Sequence, residues 1–248
     1  MRAPLVIVLH GGFGTASQAE NSYGWDEVAE KMHFLVAYPN GTRFSWNAGG
    51  DCCGRAITEN VDDVNFISQT IIDISKNESV DLQRVYITGI SNGAAMAYRY
   101  ACEGHYHIAA IGAVAGSLSF ECPYPHGISV MEIHGLEDQN IPMAGGVGPK
   151  GISKVDWLPV EQVIHKFRVA SSCKPSTVTK DATIQTDKAV CSQGREVTLI
   201  TIADAGHQWP GGKTQPMLAR LILPLDPPSD AMNATWTLWQ FFANHKAP

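Results

Sequence analysis

The sequence predicts an α/β fold, a mostly parallel sheet of about six or more strands with helices on both faces. Short β-branched apolar runs alternate along the chain with stretches of helical period. Those runs are apolar throughout, the pattern of strands covered on both faces. The 248 residues are 44% hydrophobic, enough to fill a core on each side of a sheet. No linker, repeat or low-complexity tract interrupts the alternation, so 1–248 reads as a single domain.

Each element follows from its own pattern. Leu5–Leu9 is a buried strand that stops at the turn His10-Gly11-Gly12. Trp25, Val28, Ala29 and Met32 share one helical face, and Phe34–Tyr38 is a strand ended by Pro39-Asn40-Gly41. Residues 44–54 form a Gly/Trp/Cys-rich loop without a period. Val61, Val64, Ile67, Ile71 and Ile74 define an amphipathic helix with Asn60 as its expected cap. Val85–Thr88 is a strand and Ala94–Ala101 a helix of small residues; Ile108–Ala115 and Ile128–Ile133 are strands. Pro159–Ala170 reads as a helix and Val197–Ala203 as a strand. Asp230–His245 is the last helix, with Ser229 as its expected cap. Residues 211–228 hold four prolines and no firm period, which predicts a surface loop over one end of the sheet.

Composition excludes several classes of function. Lys and Arg number 18 against 24 Asp and Glu, a formal charge of −6 with no basic cluster, so nucleic acid is not an expected partner. No apolar run approaches membrane-spanning length. No C-x-x-C pair occurs, and His105-x-His107 stands alone, so no metal is expected. The six cysteines suit disulfides in an oxidising compartment. Cys173 and Cys191 are expected to close the polar, strand-like stretch between them. Cys52 and Cys53 are expected to pair with Cys102 and Cys122 in an order left open, buried free thiols being the alternative. No leader precedes the first strand, so a secreted or periplasmic protein is expected to have carried a signal that this chain does not show.

The chemistry is concentrated in three loops. Gly89-Ile90-Ser91-Asn92-Gly93 is a G-x-S-x-G pattern lying between a strand and a helix, which forces Ser91 into a tight turn at the carboxyl edge of the sheet. A serine hydroxyl needs a base, and His207 follows the strand Val197–Ala203 on a glycine-rich loop. The imidazolium then needs a fixed anion. Asp138 lies just past the strand Ile128–Ile133, with Glu137 and Asp156 as its rivals. The order Ser91, Asp138, His207 is that of α/β-hydrolases. The N–H groups of Gly12 and Asn92 are assigned to an oxyanion hole. Trp209, Trp46 and Phe13 are the candidate walls of the substrate cleft. His10 and His134, each before a glycine at a strand end, read as structural. Asp62 and Asp63 read as acids that favour a helix start.

These motifs together resemble a known family. Leu9-His10-Gly11-Gly12, Trp46-Asn47-Ala48-Gly49 with Cys52-Cys53-Gly54, Gly-Ile-Ser91-Asn-Gly, His134-Gly135 with Asp138, and Gly206-His207-Gln208-Trp209-Pro210-Gly211-Gly212 resemble polyhydroxybutyrate depolymerase-type esterases and the feruloyl and acetyl-xylan esterases of carbohydrate esterase family 1. The resemblance implies a secreted serine carboxylesterase of α/β-hydrolase fold, monomeric and without cofactor, with Ser91, Asp138 and His207 as its triad. Members usually carry two further strands before the His-Gly strand and often a polymer-binding module, neither of which appears in this sequence; soluble or oligomeric esters are the expected substrates. The competing readings are a serine peptidase or thioesterase on the same fold and a non-catalytic binding protein.

Overall fold

The computed structural model describes residues 2–123, 125–213 and 226–247. In chain order the elements are β1 Ala3–Leu9, α1 Ala16–Tyr23, α2 Trp25–Met32, β2 Leu35–Ala37, α3 Gly54–Thr58, α4 Asp63–Asn77, β3 Val80–Ile90, α5 Asn92–Glu103, β4 Ala110–Val114 and β5 Ser129–Gly135. They continue with α6 Val160–Ala170, β6 Thr177–Asp181, β7 Ile184–Val190, β8 Glu196–Ile202 and α7 Ala234–Ala243. One eight-stranded sheet runs β2-β1-β3-β4-β5-β8-β7-β6. From β2 to β8 every pairing is parallel, and β6 and β7 join as an antiparallel hairpin.

Strand pleating sends alternate residues to two cores. Leu5, Ile7 and Leu9 of β1 pack with α4, α5 and α6, whereas Val6 and Val8 pack with α1, α2 and α7. The expected parallel sheet with helices on both faces is therefore present, and the hairpin brings the sheet to eight strands. No described helix is long and apolar enough to cross a membrane.

Several boundaries differ from expectation. The α4 helix begins at Asp63, and its cap is Asp62, whose side chain accepts from the Asn65 N–H at 3.0 Å. Asn60 instead occupies a left-handed turn, φ 49°, that ends α3. The last helix starts at Ala234 under an Asn233 cap; the Ser229 carbonyl is taken by the Gly211 N–H. Strand β3 is longer than its apolar centre because Val80 pairs with Ala3 beyond a polar, irregular stretch. The first helix, α1, carries only Ala19 and Tyr23 inward, too little for an apolar period. Residues 214–225 of the proline-containing stretch lie outside the described residues.

Cys173–Cys191 is a disulfide and closes the β6–β7 hairpin as expected. The other pairing is corrected: Cys52 bonds Cys53, and Cys102 bonds Cys122. Cys52 touches Asn92 at the start of α5, while Cys102 lies near that helix's end. Ten helical residues span about 15 Å, well beyond the reach of a disulfide.

Candidate active site

Ser91 sits between β3 and α5 with φ 57° and ψ −122°, a conformation that L-residues rarely hold. The Ser91 N–H is fixed by the Val114 carbonyl at 3.0 Å, and its own carbonyl accepts from Ala95. The elbow lies so close to β1 that a Cβ on Gly93 would stand 2.5 Å from the carbonyl oxygens of Leu9 and His10. The second glycine of the motif is thus required by the neighbouring strand.

Asp138 and His207 hang from the ends of adjacent parallel strands, β5 and β8. The Leu136 N–H donates to Ile202 and the Glu137 N–H to Ala205, tying the two loops together. A side chain at Gly135 would collide with the Ala205 carbonyl, which explains glycine after His134. Asp138 is buried, and its Oδ2 accepts from His207 Nδ1 at 2.7 Å. Its Oδ1 accepts the N–H groups of Asn140 and Ile141 at 2.8 and 2.9 Å. Burial alone raises a carboxyl pKa, but the charge and hydrogen bond of His207, the charge of His134 and the Ile141 N–H outweigh it and hold Asp138 below the usual carboxylate range. The rivals Glu137 and Asp156 are exposed. A partner not expected from the sequence, Asp226, accepts the His207 backbone N–H at 2.8 Å and so fixes the imidazole loop from behind.

Ser91 and His207 line one cavity of about 500 Å³, together with Gly12, Phe13, Asn92 and Trp209. The Ser91 hydroxyl forms no hydrogen bond with His207 in this structure; such contacts commonly tighten only when substrate is bound. Gly12 follows β1 and Asn92 opens α5, and among the described residues neither backbone N–H has an acceptor. A Cβ built on Gly12 would lie 3.8 Å from the Asn92 Cβ, so the two candidate oxyanion donors are neighbours. Phe13 reaches the cavity from a left-handed turn, φ 61°, held by its N–H to the Phe44 carbonyl at 2.7 Å.

The two tryptophans part company. Trp209 lines the cavity while stacked on Tyr23 with ring centroids 4.5 Å apart, and its indole N–H donates to Thr235. Trp46 is not a cleft wall: it is fully buried behind the site. Its Nε1–H donates to the His10 carbonyl at 2.9 Å, and its backbone N–H and carbonyl bond the Asn92 side chain at 2.7 and 2.9 Å. Trp46 therefore staples the β1 turn to the start of α5, the two segments that carry the candidate oxyanion donors. Asn47 continues this loop, held by the buried Asp63 carboxylate through its N–H at 2.7 Å and by Arg99 through its carbonyl. Asp63 thus does more than start a helix.

His10 and His134 both hydrogen-bond backbone near the site, as expected. His10 Nδ1 donates to the Gly11 carbonyl and Nε2 accepts the Gly41 N–H at 3.0 Å; burial lowers its pKa and keeps it neutral. His134 bridges Glu132 and the Ile141 carbonyl. Among the described residues no group of three or more His, Cys, Asp or Glu side chains is arranged to hold a metal.

Comparison with known proteins fixes the family. Residues 1–145, more than half of the chain, match the family model described as Esterase PHB depolymerase. The chain belongs to this family. Among curated relatives, a protein named Probable feruloyl esterase C from Aspergillus flavus is 27% identical over 216 residues, 82% of this chain and 69% of its own. Poly(3-hydroxyalkanoate) depolymerase C of Paucimonas lemoignei is 38% identical over 101 residues, 38% of this chain and 23% of its own. The chain spans 66% of the length of a putative esterase, NocK, of Nocardia uniformis and 69% of the Aspergillus flavus protein, and 40% of Feruloyl esterase B of Piromyces equi, which matches 85% of this chain. An acetyl xylan esterase from Aspergillus awamori has the same fold, with a TM-score of 0.60 over 83% of this chain and 84% of its own at 15% identity. The esterase is thus of α/β-hydrolase fold, as the motif order predicts.

Proposed function

We propose that this PHB-depolymerase-family esterase hydrolyses carboxylic esters through an acyl-enzyme, with Ser91 as nucleophile, His207 as general base and acid, and Asp138 as the anion that orients His207. The N–H groups of Gly12 and Asn92 hold the oxyanion. The observation that carries this reading is the 2.7 Å contact between Asp138 Oδ2 and His207 Nδ1 beside a cavity that Ser91 also lines. Because a carboxylate faces Nδ1, the proton sits there and Nε2 is left free to take the serine proton. Attack gives a tetrahedral oxyanion, His207 protonates the departing alcohol, and water repeats the sequence to release the acid.

Substrates are assigned to esters of an apolar or aromatic acid, of the feruloyl or short hydroxyalkanoate type. Phe13, Phe44 and Ile152 line the cavity with more than half of each residue exposed. That is apolar surface at the mouth of a site, where an apolar group gains by covering it. The chain acts as one catalytic domain and as a monomer, and its disulfides support secretion into an oxidising space.

A fluorophosphonate probe tests the nucleophile. It is expected to label the peptide carrying Ser91 and to leave S91A unlabelled; labelling that persists in S91A overturns the assignment. Turnover of methyl ferulate, acetylated xylan, hydroxybutyrate oligomers and p-nitrophenyl esters, beside amide and thioester analogues of one acyl group, separates the esterase from a peptidase or thioesterase.

A further inference from the structure

Behind the candidate triad lies a buried line of ionisable groups that the proposed reaction does not use. Glu132 and His134 are adjacent inward positions of β5, and both are fully buried. Tyr98 of α5 donates its hydroxyl to Glu132 Oε2 at 3.0 Å, and the Gly116 N–H donates to Oε1, also at 3.0 Å. Burial and the Glu132 charge push the Tyr98 phenol well above its ordinary pKa, so it is a neutral donor. His134 Nδ1 stands 2.8 Å from that same Oε1. His134 Nε2 stands 2.9 Å from the Ile141 carbonyl and 3.6 Å from Asp138 Oδ2. The Asp138 oxygen concerned is the one that accepts from His207.

The pattern of donors and acceptors points to a protonation state. A carbonyl oxygen only accepts, so Nε2 must carry a proton. Glu132 accepts from Tyr98 at Oε2 and from Gly116 at Oε1, the pattern of an acceptor-only carboxylate, and Nδ1 reads as its third donor. A ring with both nitrogens protonated is an imidazolium. Desolvation opposes a charge at this depth, but the hydrogen bond and charge of Glu132, the charge of Asp138 and the Ile141 carbonyl prevail and raise the His134 pKa.

We infer that His134 is a buried imidazolium, paired with Glu132, that acts as a positioning residue for Asp138 and tunes the pH range over which His207 serves as a base. The role in catalysis rests on the esterase reading; the protonation state does not. The charges run Glu132⁻, His134⁺, Asp138⁻, His207. The cation offsets part of the Asp138 field where that field reaches the His207 ring. Removing the cation while Glu132 remains leaves two uncompensated carboxylates behind the His207 ring, and nearby negative charge favours an imidazolium over a neutral imidazole.

The test combines a spectrum and a profile. Nitrogen-15 NMR of the histidine rings in the wild-type protein is expected to show His134 protonated on both nitrogens from pH 5 to 8; a neutral tautomer at pH 7 overturns the inference whether or not the chain turns over esters. In H134Q the acidic limb of kcat/KM is expected to move upward by about one pH unit. The charge-free E132Q/H134Q pair is expected to bring the limb part of the way back and to leave it above that of the wild type. A folded H134Q whose limb coincides with that of the wild type overturns the tuning role. Should H134Q not fold, the limb of E132Q/H134Q stands against the wild type alone: an upward shift supports the role and coincidence overturns it.

Discussion

The two sides of the cavity are built from different materials. On the nucleophile side, Ser91, Gly12 and Asn92 are placed by backbone geometry and neutral hydrogen bonds: a left-handed elbow, a glycine against β1, and the Trp46 indole and peptide bridging His10 to Asn92. On the acid–base side, Asp138 and His207 end a run of ionisable groups that passes through His134 to Glu132. Backbone geometry does not titrate, so the first arrangement holds its shape across pH. The second is proposed to set where in pH the reaction starts. One site thus separates where the reacting atoms lie from when the proton moves.

Four variants probe that division. S91A removes the proposed nucleophile alone and is expected to lower kcat about a million-fold with an unchanged melting temperature, read with a chromogenic ester. D138N presents an amide where the carboxylate faced Nδ1, which favours the tautomer unable to take a proton from Ser91; kcat is expected to fall about ten-thousand-fold. W46F removes the indole N–H and leaves the buried His10 carbonyl unpaired, at a cost of about 1–3 kcal/mol in denaturant unfolding. Because the change is on the neutral side, the acidic limb of its pH–rate profile is expected to stay in place; a shift there breaks the comparison.

D63N tests a titrating exception on the nucleophile side. Burial raises the Asp63 pKa to about 6, against the Asn47 N–H and the Arg99 charge, which pull it down. The folded value lies above the unfolded one, so ionisation costs stability: the cost is absent below about pH 4, grows as pH rises through 6 and is complete above it. Relative to wild type, D63N is expected to gain on the order of 1–3 kcal/mol between pH 4 and pH 7. Parallel unfolding curves at both pH values measure the difference, and no change with pH contradicts the assigned shift.

What the sequence discloses follows from how local each signal is. Ser91, Asp138 and His207 each come just after an apolar run, so recognising the strands brings all three to one edge of the sheet. The role of Trp46 is hidden because its partners stand 36 and 46 residues away, and nothing in a tryptophan's neighbours distinguishes a cleft wall from a staple. The vicinal pairing of Cys52 with Cys53 is equally silent, since only the length of α5 removes Cys102 from reach. Helix α1 did leave a mark: Thr15 caps it by accepting from Gln18, the spacing of a capping box, in a stretch whose apolar period is too sparse to read. Glu132 is invisible for another reason, being an acid in the middle of a buried strand, where the pattern forbids one unless partners wait on neighbouring elements.

Beyond the site, the hairpin that closes the sheet has a consequence for how molecules meet. Every residue of β6 is exposed, and among the described residues it pairs only with β7, which leaves one row of peptide groups facing water. Such a row invites side-by-side growth between neighbouring molecules. Lys180 and Asp181 stand on it as charged sentries, and replacing both with valine would turn a solubilising border into a seed for fibrils.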